Sequence, residues 1–294
     1  MSDRLPIDLA HPDQRIFWLS HPVVGDASFD SFEHDVHNPI YVGEPPFEWP
    51  VNAFLFQDPV GRALYAYVGL YPRGYWPAGG CKLLRSSDDG ATWEDMGTVL
   101  NGDAQMFDGN GQCPGGMPDV SVVYGDGRYH MVYDWCNPDN SDGGIAYAWA
   151  ERPEGPFHRA KEPIHRESLQ PFLEGRYKRV YAPTLLRREN GWLILADMST
   201  PGNAGGTWAM VGFMAQRPEG PYEGPTLLLW PQSRVYLPAP VEAYPAFAHD
   251  GYVYAPATSV ALNRPFQVIY RARLQGAHRP EAWKIYQCGS VWHA

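Results

Sequence analysis

A chain of 294 residues, 44% hydrophobic and 14% aromatic, has enough apolar material for one large or two ordinary domains. Its formal charge of −10 argues against a nucleic-acid or anionic-membrane surface, because phosphate binding needs a basic face. The 30 Gly and 29 Pro separate apolar, periodic segments, so they signal many short strands joined by turns rather than a low-complexity tract.

In chain order, the opening "MSDRLPIDLAHPDQ" has no apolar run of the signal-peptide kind, and no stretch of 18 apolar residues follows anywhere. A soluble, cytoplasmic protein without a membrane partner is therefore expected. Apolar strands are expected near "RIFWLSHPVV" and "HNPIYVG". From Val51, "VNAFLFQDPVGRALYAYVG" reads as strand, polar turn, strand, and "CKLLRSSDDGATW" adds a third strand. Within it, Ser86 to Trp93 fits S-x-D-x-G-x-T-W, the Asp-box turn of sialidase-type propellers. Asp88 bonds backbone amides there, Gly90 takes the positive-φ position and Trp93 packs beneath. Its role is structural.

The next hairpin is "PDVSVVYGDGRYHMVYDW" from Pro118, where Gly125-Asp126-Gly127 turns the chain between two alternating strands. A third, "PTLLRRENGWLILADMS", opens at Pro183, and a fourth, "VEAYPAFAHDGYVYAPATS", at Val241. The third strands following the last three are "GIAYAWAERPEGPF", "WAMVGFMAQRPEGPY" and "FQVIYRARL". The echo of "AERPEGPFH" at Ala150 in "AQRPEGPYE" at Ala215 is an offset of 65 residues. Strand heads fall at Asn52, Asp119, Thr184 and Glu242, in steps of 67, 65 and 58. A repeat of about 40–65 residues holding three or four strands is a propeller blade. No segment carries a sustained helical period with caps. Residues 1–294 are thus read as a single all-β domain, a five-bladed β-propeller. Its blades open near 51, 118, 183 and 241, and the N-terminal strands with "KIYQCGSVWHA" form the fifth.

In a propeller the innermost strands surround the axis, so their heads converge on one funnel. Two of the four heads, Asp119 and Glu242, are acidic. A carboxylate beside apolar walls and a second carboxylate has a perturbed pKa, the condition for general acid and base work.

Here the chain resembles glycoside hydrolase family 43 and its five-bladed relatives, families 62, 32 and 68. "MPDVSVVYGDGRYHMVYDW" is similar to that family's A-P-D strand, G-x-Y-Y turn and Y-Y-S-like end. "AYAWAERPEGPFH" is similar to its A-T-S-x-S-P-x-G-P-F/W strand, "VEAYPAFAHDGYVYAPATS" to its acid-bearing blade, and "FQVIYRARL" to its closing strand. The similarity spans roughly residues 38 to 275. It implies Glu242 as general acid and Asp119 as the residue that orients this acid and raises its pKa. The family's general base is an Asp at the head of the first blade, where this chain has Asn52, which cannot take a proton from water. Three readings follow: another carboxylate serves (Asp35, Glu48, Asp58 or Asp108), Asp119 is itself the base, or the chain no longer hydrolyses.

Trp49, Trp76, Trp135 and Tyr181 are candidates to stack on sugar faces. His37, ahead of "NPIYVG", is a candidate for a sugar hydroxyl, and Arg264 or Arg271 for a hydroxyl or carboxylate. The Gly-rich loop from Gly102, which carries Asp108, leads into Asp119. Loops at the mouth of a rigid scaffold commonly hold binding residues. Cys81, Cys113, Cys136 and Cys288 form no CxxC pair, and His158 and His165 have no zinc-ligand context, so no metal site is expected. No cofactor is implied beyond a structural calcium in the pore, which some relatives hold.

The expected function is a glycoside hydrolase cleaving an oligo- or polysaccharide by inversion, with acid and base carboxyls about 6.5–9.5 Å apart. The alternatives are a non-catalytic carbohydrate-binding propeller, which Asn52 motivates, and a glycoside phosphorylase, which would need a basic cluster at the funnel. The partner is a carbohydrate in every case. Sugar, linkage and oligomeric state do not follow from the residues.

Overall fold

The computed structural model describes residues 41, 49–71, 80–101, 106–107, 119–136, 141–169, 179–200, 207–230, 240–243, 245–259 and 266–289. They form four antiparallel sheets, each beginning at its inner strand. The first holds β1 (Trp49–Gln57), β2 (Leu64–Tyr71), β3 (Gly80–Ser86) and β4 (Glu94–Leu100). The second holds β5 (Val120–Gly125), β6 (Arg128–Cys136), β7 (Asp142–Ala150) and β8 (His158–Arg159), with β9 (His165–Ser168) also on β7. The third holds β10 (Arg179–Arg188), β11 (Gly191–Thr200), β12 (Thr207–Ala215) and β13 (Glu223–Leu229). The fourth holds β14 (Pro240–Ala243), β15 (Phe247–His249), β16 (Tyr252–Ser259), β17 (Phe266–Arg273) and β18 (Lys284–Gly289).

Turn chemistry sets the registers. Asp126 and Gly127, at φ 51° and 80°, make the two-residue turn that pairs Gly125 with Arg128. Asp250 and Gly251, at 46° and 73°, repeat it in the fourth blade. Positive φ at both central positions matches the right-handed twist of the strands it joins, and Asp-Gly supplies it cheaply. The 65-residue echo is also one turn used twice: the amide of Gly155 bonds the carbonyl of Arg152, and that of Gly220 the carbonyl of Arg217, each at 3.0 Å.

The Asp box forms the tip between β3 and β4 as expected. Asp88 accepts the amide and hydroxyl of Thr92 at 2.9 and 2.6 Å, and Trp93 Nε1 bonds the Gly90 carbonyl at 2.9 Å. The Thr92 hydroxyl and amide, with Ser86, hold the exposed Asp88 carboxyl down at about 2.

The core lies between blades, not within one. Along β6, Met131, Tyr133 and Trp135 pack toward the first blade on Tyr67 and Leu83, while Val132 packs toward the third on Ile194. A strand buried on both faces reads as a continuous apolar run, which is why eight of the nine β6 residues are buried. Leu193, Leu195, Val253 and Tyr270 make the corresponding core between the third and fourth blades. Across the first interface, Tyr65 gives its hydroxyl hydrogen to Glu154 at 2.6 Å and Tyr67 gives its own to the Pro153 carbonyl at 2.7 Å. Cys81 and Cys136 are buried and form no disulfide among the described residues.

The all-β propeller matches the expectation; the blade count does not. Four blades are present among the described residues, and the C-terminal strand does not contribute to a fifth. Two 3-10 turns, Leu274–Gly276 and Pro280–Ala282, fold the chain back directly after β17. Trp283 locks this turn, buried in the third-to-fourth core with Nε1 bonded to the Ala277 carbonyl at 2.9 Å. The next residues therefore meet the open edge of β17, and β18 pairs there as the outer strand of the fourth blade. The N-terminal strands assigned to the fifth blade lie outside the described residues, apart from Tyr41.

Candidate functional site

The four inner strands begin at one end of the molecule, and hydroxyl groups stitch three of them together. Ser121 Oγ accepts the Leu185 amide and Thr184 Oγ1 accepts the Ala246 amide, both at 3.0 Å. Thr184, expected at a strand head, is a buried part of the seam between the third and fourth blades. Backbone irregularities gather at the same end. The register of β1 shifts between Val51 and Ala53, that of β10 between Tyr181 and Thr184, and that of β14 between Pro240 and Glu242. Ala182, inside the second of these, stands at φ 50°. Bulges leave a residue outside the ladder and re-aim side chains, and they are over-represented beside active sites.

At the second blade the irregularity is a pair of acids. Asp119 sits directly ahead of β5 and Asp134 opposite it on β6. The Asp134 amide bonds the Asp119 carbonyl at 3.1 Å, but the Asp119 amide turns to the Asp134 side chain, donating to Oδ1 at 3.1 Å. The two residues are 8% and 2% exposed. Ser121 and Val132, two positions along the respective strands, face the third blade, and that blade supplies the partners. The Ala182 amide bonds the Asp134 carboxyl, Arg179 places its positive charge nearby, and the Asp119 side chain hydrogen-bonds it as well. Burial raises the Asp134 carboxyl to about 6, against the lowering effect of Arg179 and of these hydrogen bonds.

Beside this pair, Tyr181 is half-buried with the Arg179 guanidinium 5.6 Å from its ring centre, and it pairs with the buried Asp197 across β11. Glu167 on β9 fixes the start of β10 by accepting the Val180 amide at 2.6 Å. The structure thus brings Asp119 and Tyr181 together with three groups that the sequence reading passed over: Asp134, Arg179 and Asp197. A signal for Asp134 was present. With Asp126-Gly127 as a two-residue turn, counting outward from Gly125 and Arg128 sets Asp134 opposite Asp119.

The other candidates fall elsewhere or outside the description. Asn52 is the residue left out of register in β1, Trp49 pairs with Tyr71, and Glu242 on β14 pairs with Thr258 on β16. All three occupy inner-strand heads, and their side chains lie outside the described residues. The separation of acid and base carboxyls therefore lies outside them too. Trp135 is 2% exposed, with Phe107 packed at 4.8 Å on its ring. Burial leaves it no open face for a sugar. Arg271 sits on β17, two strands out from the axis, stacked between Tyr252 and Tyr286 at 4.6 and 4.3 Å. Asp58, considered as a base, closes the opposite end of β1: it accepts the amides of Val60 and Gly61 and the Tyr129 hydroxyl, at 3.0, 2.7 and 2.8 Å. His37, Trp76, Asp108 and Arg264, like Asp35 and Glu48, lie outside the described residues. Among those residues no cluster of three metal-ligating side chains occurs.

No protein-family model matches the sequence, and no curated protein matches it. Solved structures do. A thermostable family-43 glycoside hydrolase is 15% identical, with a TM-score of 0.57 over 85% of this chain and 75% of that one. An alpha-L-arabinanase from Cellvibrio cellulosa is 18% identical, at 0.57 over 80% and 76%. A family-43 enzyme from Xanthomonas citri, complexed with xylotriose, is 16% identical, at 0.52 over 84% and 75%. With its blades of antiparallel strands, the chain has the propeller fold of these glycoside hydrolases.

Proposed function

We propose that the protein is a glycoside hydrolase that cleaves an oligo- or polysaccharide at the axial end of the propeller. The observation that carries this reading is the buried Asp119–Asp134 pair at an inner-strand head, in a fold similar to those of an arabinanase and of a family-43 enzyme complexed with xylotriose. Glu242, on the inner strand of the fourth blade, protonates the leaving oxygen. Asp119 supports that acid electrostatically, since a nearby negative charge raises a carboxyl pKa. Asn52 cannot activate water, and Asp58 is committed to its turn. The base is therefore Asp119 itself or one of Asp35, Glu48 and Asp108. For inversion it would stand about 6.5–9.5 Å from the Glu242 carboxyl.

The test is product release from a panel of arabino- and xylo-oligosaccharides. Turnover by the wild type and its loss in Glu242→Gln, with thermal melting unchanged, supports the assignment. Turnover unaffected by Glu242→Gln overturns it. Asn52 favours one other reading, a propeller that binds glycans without cleaving them; tight binding with no product from any member of the panel would establish that instead.

We also infer that Tyr41 covers part of the face of the first blade that looks away from the second. Tyr41 packs on the Ala53, Val68 and Leu84 cluster, on the side away from the second blade, and accepts a hydrogen bond from Lys82 at 2.7 Å. Tyr41→Ala should lower the melting temperature and expose dye-binding apolar surface; an unchanged melt would refute the inference.

A further inference from the structure

We propose that Asp119 and Asp134 work as one carboxyl pair sharing a proton, with Asp134 the positioning residue that sets the charge Asp119 presents at the axial end. The proposal deepens the reading above, since it rests on Asp119 supporting the acid.

Geometry carries it. The two-residue turn places the acids opposite one another, and the bond from the Asp119 amide to Asp134 Oδ1 holds the carboxyl against the partner's backbone. Both residues are buried, so two full charges would sit in a seam closed by the third blade. Like charges on directly opposed residues disfavour joint ionisation, and burial disfavours each charge separately. A hydrogen bond between two carboxyl groups also requires a proton, because an ionised carboxylate only accepts. A side-chain hydrogen bond with Asp119 is among the influences that hold the Asp134 carboxyl down against burial.

The surroundings are charged but largely spoken for. β10 contributes Arg179, the main counter-charge, and the Ala182 amide, which anchors Asp134 to the third blade. β7 contributes Asp142, paired with Arg166 of β9 at 2.5 Å. β9 also contributes Glu167, bound to the Val180 amide and 3.6 Å from His165. β11 contributes Asp197, opposite Tyr181. In this setting burial lifts the Asp134 carboxyl to about 6, so the pair gives up a proton near that pH. Its departure adds a negative charge beside the axis, which raises any protonated carboxyl facing the same space. Asp134 thereby acts on the reaction through Asp119 without touching the sugar.

The experiment is carbon-13 NMR titration of protein labelled at the aspartate carboxyls, for wild type, Asp134→Asn and Asp119→Asn. The wild type should show one carboxyl titrating near pH 6, about two units above the ordinary aspartate range. Asp134→Asn should abolish that transition, and Asp119→Asn should move it by about one unit or more. A wild type with no aspartate titrating above the ordinary range overturns the proposal, as does a transition that survives Asp134→Asn or ignores Asp119→Asn. The readout needs no substrate, so it separates failure of the pair from failure of the hydrolase assignment. On a cleaved glycan, Asp134→Asn should also displace the pH profile of kcat/KM by about one unit while leaving KM near wild type; an unchanged profile would reduce Asp134 to a structural residue.

Discussion

Ser121 and Leu185 are joined across the seam between the second and third blades, the serine hydroxyl accepting the leucine amide at 3.0 Å. Thr184 repeats the bond to Ala246 one seam later, at the same distance. Inner strands of neighbouring blades have no ladder between them, so each amide facing a seam needs some other acceptor. A short hydroxyl side chain supplies it without opening space in the core.

Removing these acceptors should therefore cost more than their size implies. Thr184→Val keeps the shape but strands the Ala246 amide, and Ser121→Ala strands that of Leu185. Each is expected to lower unfolding stability by about 1–3 kcal/mol, the desolvation cost of an unpaired buried donor. The two amides are distinct, so the double variant should be close to additive. Denaturant melts of the four proteins test this, and losses near zero would show that water or rearrangement satisfies the seam.

Asp58 is a candidate base by its nearness to Asn52 in the chain, yet its oxygens are filled by two backbone amides and Tyr129. Asp58→Ala should lose about 1.5–3 kcal/mol of stability, the range for hydrogen bonds to charged groups. Its kcat on a cleaved glycan should stay near wild type at temperatures well below the melt. A folded Asp58→Ala protein without turnover would return this residue to the mechanism.

Tyr65 and Tyr67 clasp the turn containing Pro153 and Glu154, and burial raises both phenols above their ordinary range. Tyr67→Phe should cost about 1 kcal/mol by leaving the Pro153 carbonyl unpaired, and Tyr65→Phe about the same or less. Because both act on one turn, a double-mutant cycle should show coupling. Strict additivity would mean the two halves of the clasp act independently.

The raised carboxyl of Asp134 makes stability depend on pH with a definite sign. Its folded value is about 6, against roughly 3.9 in an unfolded chain. Its contribution is thus fully present below the unfolded value and is lost as pH rises through the folded one. Asp134→Asn removes this dependence, so the variant should gain on the wild type in melting temperature between about pH 4 and pH 7. His130, whose pKa burial lowers, works in the opposite sense, losing stability as pH falls, and it cancels in the difference. A difference that is flat with pH would contradict the raised value.

Glu242→Gln should lower kcat by about 10²–10⁴-fold, the usual contribution of a general acid, on glycosides with poor leaving groups. Aryl glycosides whose leaving group needs no proton should suffer much less. Equal losses on both substrate types would mean that Glu242 acts on water or on binding rather than on the leaving oxygen.

The sequence alone carried the repeating blade, its hairpins and the Asp box, because these rest on local signals. Alternating apolar residues, Asp-Gly turns and an eight-residue motif each specify their conformation within a few neighbours. The same locality marked Asp119 as an acid at a strand head, while the turn arithmetic that sets Asp134 across from it was passed over. What the third blade brings to that pair was out of reach. Arg179 and the Ala182 amide are more than forty positions away, and no alternation pattern says which side chains will share a seam. Thr184 and Asp58 carry the same lesson: their roles were set by an amide on the next blade and by a tyrosine 71 residues on. So too with β18, an apolar strand in either assignment, which the packing of Trp283 sent to the edge of the fourth blade. Secondary structure follows from neighbours along the chain. The ionisation and partners of a buried acid follow from neighbours in space, and only the packed blades supply those.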